Sequence, residues 1–302
     1  MTNLPIQYVI IEGTDCSGKS SLYSALHKET GFAYNMQDRS FLSMLCYARL
    51  YGRDETYHRE MLREELCNAN NLLVILMPPK EAILHRLKLR GDEFQDEVSI
   101  IKLYGIFTEE VEKIQFVPNV FVVYQEMELK NLAKHVKNHI ERYSNLSPEK
   151  LGLLATNWVN LSSSSEIQFS VKYYLDPQHA DTSIMNDPHE GEYYKNILDK
   201  CNAVITAEIN GDNPYDLPQT LDSRRFYYSS DSCISSIHFL MREGNLKVIS
   251  SLRSTDAVKN GSLDIRFLSH LSAKIAKDFN WNPGKIELKI NYNSLHIRRD
   301  KE

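Results

Sequence analysis

The sequence predicts an α/β protein: a parallel sheet with flanking helices, followed by a second, α+β domain. Three observations predict it. Short apolar runs alternate with helix-period segments as far as Tyr143. A glycine-rich loop lies between the first such run and the first helical segment. From Glu166 onward the texture changes to alternating runs punctuated by Asn, Asp and Pro. Strands that alternate with helices form parallel sheets covered on both faces.

The elements follow in order. Tyr8 to Glu12 is an apolar run closed by a glycine and reads as a buried strand. Ser20 to Lys28 reads as a helix that stops near Gly31, and Phe32 to Met36 as a second strand. Phe41 to Tyr51 and Thr56 to Cys67 read as helices. Asn71 to Met77 is the strongest strand signal, closed by Pro78-Pro79. Lys80 to Arg90 and Glu97 to Ile114 are helical, Val120 to Tyr124 is a strand and Glu128 to Tyr143 a helix. Pro148, Leu151 to Val159 and the run Ser162 to Ser165 read as a connection, although Trp158 implies that part of it packs. Ile237 to Met241 and Leu246 to Leu252 form a hairpin, Phe267 to Phe279 a helix and Ile286 to Ile290 a late strand. The expected domains are 1–145 and 166–302, joined by a linker at 146–165. The paired tyrosines at 173–174, 193–194 and 227–228 read as half-buried faces of strands or helices.

The 302 residues, 42% of them hydrophobic, suffice for two ordinary cores and exclude global disorder. A net charge of −5 argues against a general nucleic-acid coat and leaves room for a local basic pocket. No apolar run reaches the ~18–20 residues of a membrane span. The start, Met1 to Pro5, lacks the basic stretch of a signal peptide. The 5 cysteines are scattered and form no CxxC pair, which fits a reducing, cytoplasmic compartment. His238 and His296 lack partners at metal-ligand spacing.

Gly13-Thr14-Asp15-Cys16-Ser17-Gly18-Lys19-Ser20 fits G-x-x-x-x-G-K-[ST] between a strand and a helix. Such a loop turns consecutive N–H groups toward phosphate at a helix N-terminus. Gly13, Thr14, Asp15, Cys16, Ser17, Gly18, Lys19, Ser20 and Ser21 are therefore the candidate ATP-binding residues. Lys19 is expected on the β- and γ-phosphates and Ser20 on Mg²⁺. Asp38-Arg39-Ser40 follows the second predicted strand, and Leu84 to Asp96 carries Arg86 and Arg90. Taken alone, Asp38 and Arg39 also fit a surface ion pair, and Arg86 and Arg90 a solvated helix face.

With Glu12 in front, the loop resembles the E-G-x-D-x-x-G-K-[ST] loop of thymidylate kinases. Asp38-Arg39-Ser40 resembles their D-R motif, and residues 84–96 resemble their lid. The resemblance covers about residues 6–143. It implies a kinase that transfers the ATP phosphoryl group to a deoxynucleoside monophosphate. Arg39 would then hold the acceptor's phosphate, Asp38 would orient the acceptor or the metal, and Arg86 and Arg90 would neutralise the group in flight. Only 20 positions separate Lys19 from Arg39, where typical thymidylate kinases carry an extra strand and helices. The closer likeness is to a compact viral deoxynucleotide kinase, with a viral or phage origin to match. No N-K-x-D motif of a GTPase is present.

A second constellation comprises Ser223-Arg224-Arg225, Cys233, Arg253-Ser254-Thr255-Asp256, Asp264 and His296. In this order and spacing it resembles the thymidylate synthase superfamily, and Asp264 leans toward its deoxycytidylate hydroxymethylase branch. The resemblance implies a Cys233 nucleophile, a phosphate clamp of Arg224, Arg225 and Arg253, a base-reading Asp264, methylene-tetrahydrofolate as cofactor and a homodimer through the C-terminal domain. Taken alone, Cys233 also fits a buried apolar thiol. The pattern departs from the family at Arg298, where a tyrosine is usual, at Ile234 in place of histidine, and at Asn260 in place of glycine. Only 74 positions separate Lys150 from Arg224, too few for the family's folate-binding half, and Glu208 is the one candidate for its catalytic glutamate. Three readings follow: a kinase with a degenerate nucleotide-binding or dimerisation module, a bifunctional kinase and pyrimidine C5 transferase, and a kinase acting on modified pyrimidines in DNA. The acidic charge disfavours the last.

Overall fold

The computed structural model describes residues 3–90, 96–161, 166–175, 182–210 and 226–297. The chain divides into a unit of Ile6–Ser144 and a unit of Met1–Pro5 with Asn145–Glu302.

In the first unit, β1 (Tyr8–Gly13), β2 (Met36–Asp38), β3 (Asn71–Leu76) and β4 (Val120–Val123) form a 4-stranded sheet among the described residues, in the order β2-β1-β3-β4. All its pairings are parallel, with Ile11 opposite Asp38, Gly13 opposite Leu76 and Leu76 opposite Val123. The apolar runs of β1 and β3 are continuous because both faces of these strands are covered. Helices α1 (Lys19–Glu29), α2 (Phe41–Leu50), α3 (Thr56–Leu66), α4 (Lys80–Arg90), α5 (Glu97–Ile114) and α6 (Leu129–Ser144) complete the unit. Leu22, Leu26, Leu42, Leu45, Phe107, Val136 and Ile140 bury their apolar faces in the core with Val9, Ile11, Val74 and Ile75. The chain passes from β1 to β2 on one side and then to β3 on the other. The strand order therefore reverses at the carboxyl end of β1, where open α/β sheets bind ligands.

The strand expected at Phe32–Met36 begins only at Met36. Gly31 and Phe32 both take φ 60 in the turn that ends α1, and the Phe32 N–H bonds back to the His27 carbonyl. Extended backbone is out of reach until that turn is complete.

The second unit contains α7 (Pro148–Val159), β5 (Glu166–Leu175), α8 (Gly191–Asn210), β6 (Tyr227–Ser229), β7 (Ile234–Arg242), β8 (Asn245–Leu252), β9 (Thr255–Asp256), α9 (Gly261–Asp278) and β10 (Ile286–His296). Among the described residues its mixed sheet has 6 strands in the order β5-β10-β8-β7-β6, with β9 on β10. β10 runs antiparallel to β5 and parallel to β8, and β7 and β8 form the expected hairpin.

The stretch expected as a linker carries α7. Ser147 caps it by accepting the Lys150 N–H at 3.2 Å, and Leu151, Trp158 and Val159 form its buried stripe. Gly152 lets it approach α9 closely, since a Cβ there would lie 2.3 Å from the Ser262 Cα. Two further differences concern the ends of elements. Asn3 pairs antiparallel with Tyr174 on β5, so the first residues belong with the second sheet. Helix α9 starts at Gly261, six residues before its expected beginning, and so takes in Asp264. The serine run at 162–165 lies outside the described residues.

Candidate functional site

The loop from Gly13 to Ser20 leaves the carboxyl end of β1 and enters α1. Two glycines shape it. Gly13 takes φ 141, and a Cβ there would lie 2.4 Å from the Leu76 carbonyl oxygen. Gly18 takes φ 102 at the N-cap of α1 and provides no side-chain cap. The first N–H groups of α1 are thus left for an external acceptor.

Glu12 fixes the loop from below. Its carboxylate is fully buried and accepts the N–H groups of Gly13 (3.1 Å), Ser40 (2.5 Å) and Ser43 (3.1 Å) and the Ser43 hydroxyl (2.5 Å). Ser40 caps α2 by accepting the Leu42 N–H at 3.0 Å. Glu65 on α3 accepts the Phe41 N–H and the Ser40 hydroxyl, and burial together with the nearby Glu12 pushes its carboxyl up to about 7.

Above the loop, Lys19, Arg39, Arg86 and Arg90 line one cleft of about 330 Å³ together with Asp15, Cys16, Gly18, Ser20, Ser21 and Asp38. Four cations face two carboxylates, a balance suited to phosphate. The Lys19 ammonium donates to the carbonyls of Gly13 and Thr14, both at 2.7 Å. Burial lowers its pKa, and Asp15 and Glu12 oppose that shift. Arg39 pairs with Asp15 at 2.9 Å, so its observed partner is the loop aspartate and not its neighbour Asp38. The Tyr47 hydroxyl donates to the other oxygen of Asp15. Arg86 donates to the carbonyls of Ser17 (2.9 Å) and Cys16 (3.3 Å) and pairs with Glu126 at 2.7 Å. It is therefore attached to the loop and is not simply part of a solvated helix face.

All nine candidate residues of the loop and all five candidate catalytic residues lie in the first unit. Sequence reasoning missed the roles of Ser43, Tyr47, Glu65 and Glu126. Glu12, a charge inside an apolar run, was the visible signal for a buried anchor.

In the second unit, Arg224 and Arg225 lie outside the described residues. Cys233 is exposed, against the reading of a buried thiol, because it sits just before β7 and not within it. Its carbonyl accepts the Arg253 N–H at 2.8 Å, which brings these two candidates together. The Ser254 hydroxyl lies 3.5 Å from His296 Nδ1. Asp256 caps the turn before α9 by accepting the N–H groups of Val258 (2.9 Å) and Lys259 (3.1 Å). Asp264 is buried, and its two oxygens accept the hydroxyls of Tyr194 and Thr255, each at 3.0 Å. Burial pushes its carboxyl up to about 7. Glu208 lies on α8.

Among the described residues, no cluster of three or more His, Cys, Asp or Glu side chains could hold a metal ion, and no helix is long and apolar enough to cross a membrane.

No family model matches the chain. No curated protein matches it in sequence. Among solved structures, it is similar to the deoxyadenosine kinase of M. mycoides with dCMP and a flexible dCDP as products: 15% identity, covering 45% of this chain and 99% of that one, with a TM-score of 0.36. It is also similar to the YorR protein of Bacillus subtilis in complex with phosphorylated GDP: 18% identity, covering 47% and 99%, with a TM-score of 0.39. The thymidylate synthase of T4 phage shares 19% identity, covering 33% of this chain and 35% of that one, with a TM-score of 0.26.

Proposed function

We propose that the Ile6–Ser144 unit transfers the γ-phosphoryl group of ATP to a deoxynucleoside monophosphate. The observation that carries this reading is the convergence of Lys19, Arg39, Arg86 and Arg90 on one cleft above a phosphate loop. Phosphoryl transfer asks little covalent chemistry of a protein. It asks for in-line positioning and for cations where charge collects.

The residues fit a bound nucleotide triphosphate with Mg²⁺. Among the described residues no side chain caps the N-terminus of α1, and the hydroxyls of Thr14 and Ser17 are buried without a hydrogen-bond partner. Ser20 would hold Mg²⁺, which would neutralise charge on the β- and γ-oxygens. Lys19 would exchange the carbonyls of Gly13 and Thr14 for phosphate oxygens. Arg39 would take the acceptor's phosphate with Asp38 beside it, and Arg86 and Arg90 would face the group in transfer. An acceptor oxygen then bonds to the γ-phosphorus, the bond to the β–γ bridging oxygen breaks, and ADP leaves.

The test is ADP release from Mg²⁺-ATP with and without deoxynucleoside monophosphates. Release stimulated by a monophosphate supports the reading. ATP hydrolysis that no acceptor alters contradicts it.

For the second unit we propose a module that binds a pyrimidine nucleotide or joins two copies of the chain. The 74 positions between Lys150 and Arg224 favour this over C5 transfer with methylene-tetrahydrofolate, because they leave too little chain for a folate-binding half. Tritium release from [5-³H]-dCMP with methylene-tetrahydrofolate, above a Cys233→Ala control, would restore the transferase reading. The reading of a kinase acting on modified pyrimidines in DNA is disfavoured by the net charge of −5.

A further inference from the structure

We infer that Tyr47 is a positioning residue for Arg39: its ring and its hydroxyl together hold the guanidinium and the Asp15 carboxylate in one arrangement at the phosphate cleft. The inference deepens the phosphotransfer reading of that cleft and rests on it.

The backbone of Arg39 is pinned on both sides. Its N–H donates to the Ile11 carbonyl at 3.0 Å, and the N–H of Ser40 donates to Glu12 at 2.5 Å. Between these bonds Arg39 takes φ 70, a left-handed conformation that residues other than glycine rarely adopt. This fixes the direction in which the side chain leaves the chain. It does not fix the guanidinium, which lies beyond several rotatable bonds and is 44% exposed.

Three contacts supply the missing constraint, and two of them come from Tyr47. The guanidinium lies over the Tyr47 ring at 5.6 Å. It donates to one oxygen of Asp15 at 2.9 Å, while the Tyr47 hydroxyl donates to the other. Arginine, carboxylate and phenol therefore close a triangle. Burial, and then the bond to Asp15, raises the Tyr47 pKa above its ordinary value, so the hydroxyl remains a donor at neutral pH.

Tyr47 is itself supported. It lies on α2, four residues after Ser43, which is anchored on Glu12. Tyr51, one turn later, stacks nearly parallel to it, with centroids 6.1 Å apart and planes at 14°. Arg53 lies over Tyr51 at 5.2 Å. Two stacked tyrosines between two arginines, in the order Arg39, Tyr47, Tyr51, Arg53, thus back the Arg39 side of the cleft.

The consequence for binding is specific. Asp15 competes with an incoming acceptor phosphate for Arg39. A carboxylate that also accepts a hydroxyl presents less charge to the guanidinium, so the phosphate can displace it more readily. Loss of the hydroxyl alone, with the ring kept, tightens the Arg39–Asp15 pair. Loss of the ring as well lets the guanidinium turn about Asp15 away from its place in the cleft. Both changes weaken the acceptor's site and leave Lys19 and the loop N–H groups as they are.

The experiment compares the full chain with Tyr47→Phe and Tyr47→Ala by steady-state kinetics in ATP and in the best monophosphate. It also follows the Arg39 Nε–H signal in ¹⁵N spectra, assigned with Arg39→Lys. Tyr47→Ala is expected to raise the acceptor KM on the order of 10-fold while the ATP KM stays within about 2-fold. The Arg39 signal should lose its separate, slowly exchanging position in that variant. Tyr47→Phe, which keeps the ring, should retain the signal and raise the acceptor KM by only about 3-fold. If Tyr47→Ala melts early, the Tyr47→Phe kinetics decide. An unchanged Arg39 signal in Tyr47→Ala, or equal rises in both KM values, overturns the inference. A wild-type protein that phosphorylates no monophosphate overturns the phosphotransfer reading instead, and the Arg39 signal still decides whether Tyr47 holds the guanidinium.

Discussion

The Ser43 hydroxyl donates to the buried Glu12 carboxylate at 2.5 Å, so the strand that launches the phosphate loop and the helix that follows Arg39 share one anchor. Glu12 also accepts the N–H groups of Gly13, Ser40 and Ser43. Four donors meet one acceptor-only group. Glutamine in its place has a single acceptor oxygen and turns an NH₂ toward groups that also donate. Glu12→Gln is expected to destabilise the first unit by about 1–3 kcal/mol, read from the urea midpoint. An unmoved midpoint would show that the anchor is dispensable.

Glu65 makes stability depend on pH. Its Oε2 is buried without a hydrogen-bond partner among the described residues, and burial first and Glu12 second raise its carboxyl from 4.5 to about 7. A folded state that favours the protonated acid gains stability that is fully present below 4.5 and is lost as pH rises through about 7. Glu65→Gln stays neutral throughout. Its melting temperature is expected to gain on the wild type as pH rises from 4.5 to 7 and to keep that gain above 7, with the steepest gain midway between the two values. Parallel melting curves across that range would contradict the assignment.

Arg86 and Glu126 should separate under substitution. Their ion pair is exposed, with side chains 34% and 54% accessible, so losing it costs less than about 0.5 kcal/mol. Glu126→Ala is expected to leave kcat near the wild-type value. Arg86→Ala removes both the bonds to the loop carbonyls and a cleft cation, and should lower kcat on the order of 100-fold. Equal losses in the two variants would mean that the pair acts as a unit.

Asp264 offers a check on the second unit. Its carboxyl is pushed up from 3.8 to about 7, so the fold favours the protonated form and loses that contribution as pH rises through about 7. Asp264→Asn should therefore be tolerated better at pH 8 than at pH 5, as read by thermal melts. A variant that fails to fold at both values would show that Tyr194 and Thr255 need the carboxyl itself.

The phosphate loop was legible because its glycines, lysine and serine stand at fixed spacing between an apolar run and a helix. β1 and β3 were legible because strands buried on both faces leave unbroken apolar runs. The bounds of α4 and α5 matched residue for residue because Pro78-Pro79 and Asp96 punctuate their starts. β2 begins later than the sequence suggests because Gly31 marks the helix stop while nothing in the composition marks the left-handed Phe32 that follows it. α7 reads as a connection because its buried stripe is short and flanked by polar residues. The roles of Ser43 and Tyr47 were hidden for a different reason. They arise from contacts spanning 31 and 32 positions, between elements whose packing local patterns do not encode.

In the proposed reaction the cleft around Lys19 moves a phosphoryl group onto a nucleotide. The most direct test incubates the full chain with Mg²⁺-ATP and each deoxynucleoside monophosphate, 5-hydroxymethyl-dCMP included, and identifies products by mass. Lys19→Ala, shown folded by circular dichroism, runs alongside. The wild type is expected to convert at least one monophosphate to its diphosphate with equimolar ADP, and Lys19→Ala to lose this conversion by about 1,000-fold. A folded wild-type protein that phosphorylates none of them, or a Lys19→Ala variant that works as well as the wild type, would contradict the phosphotransfer reading.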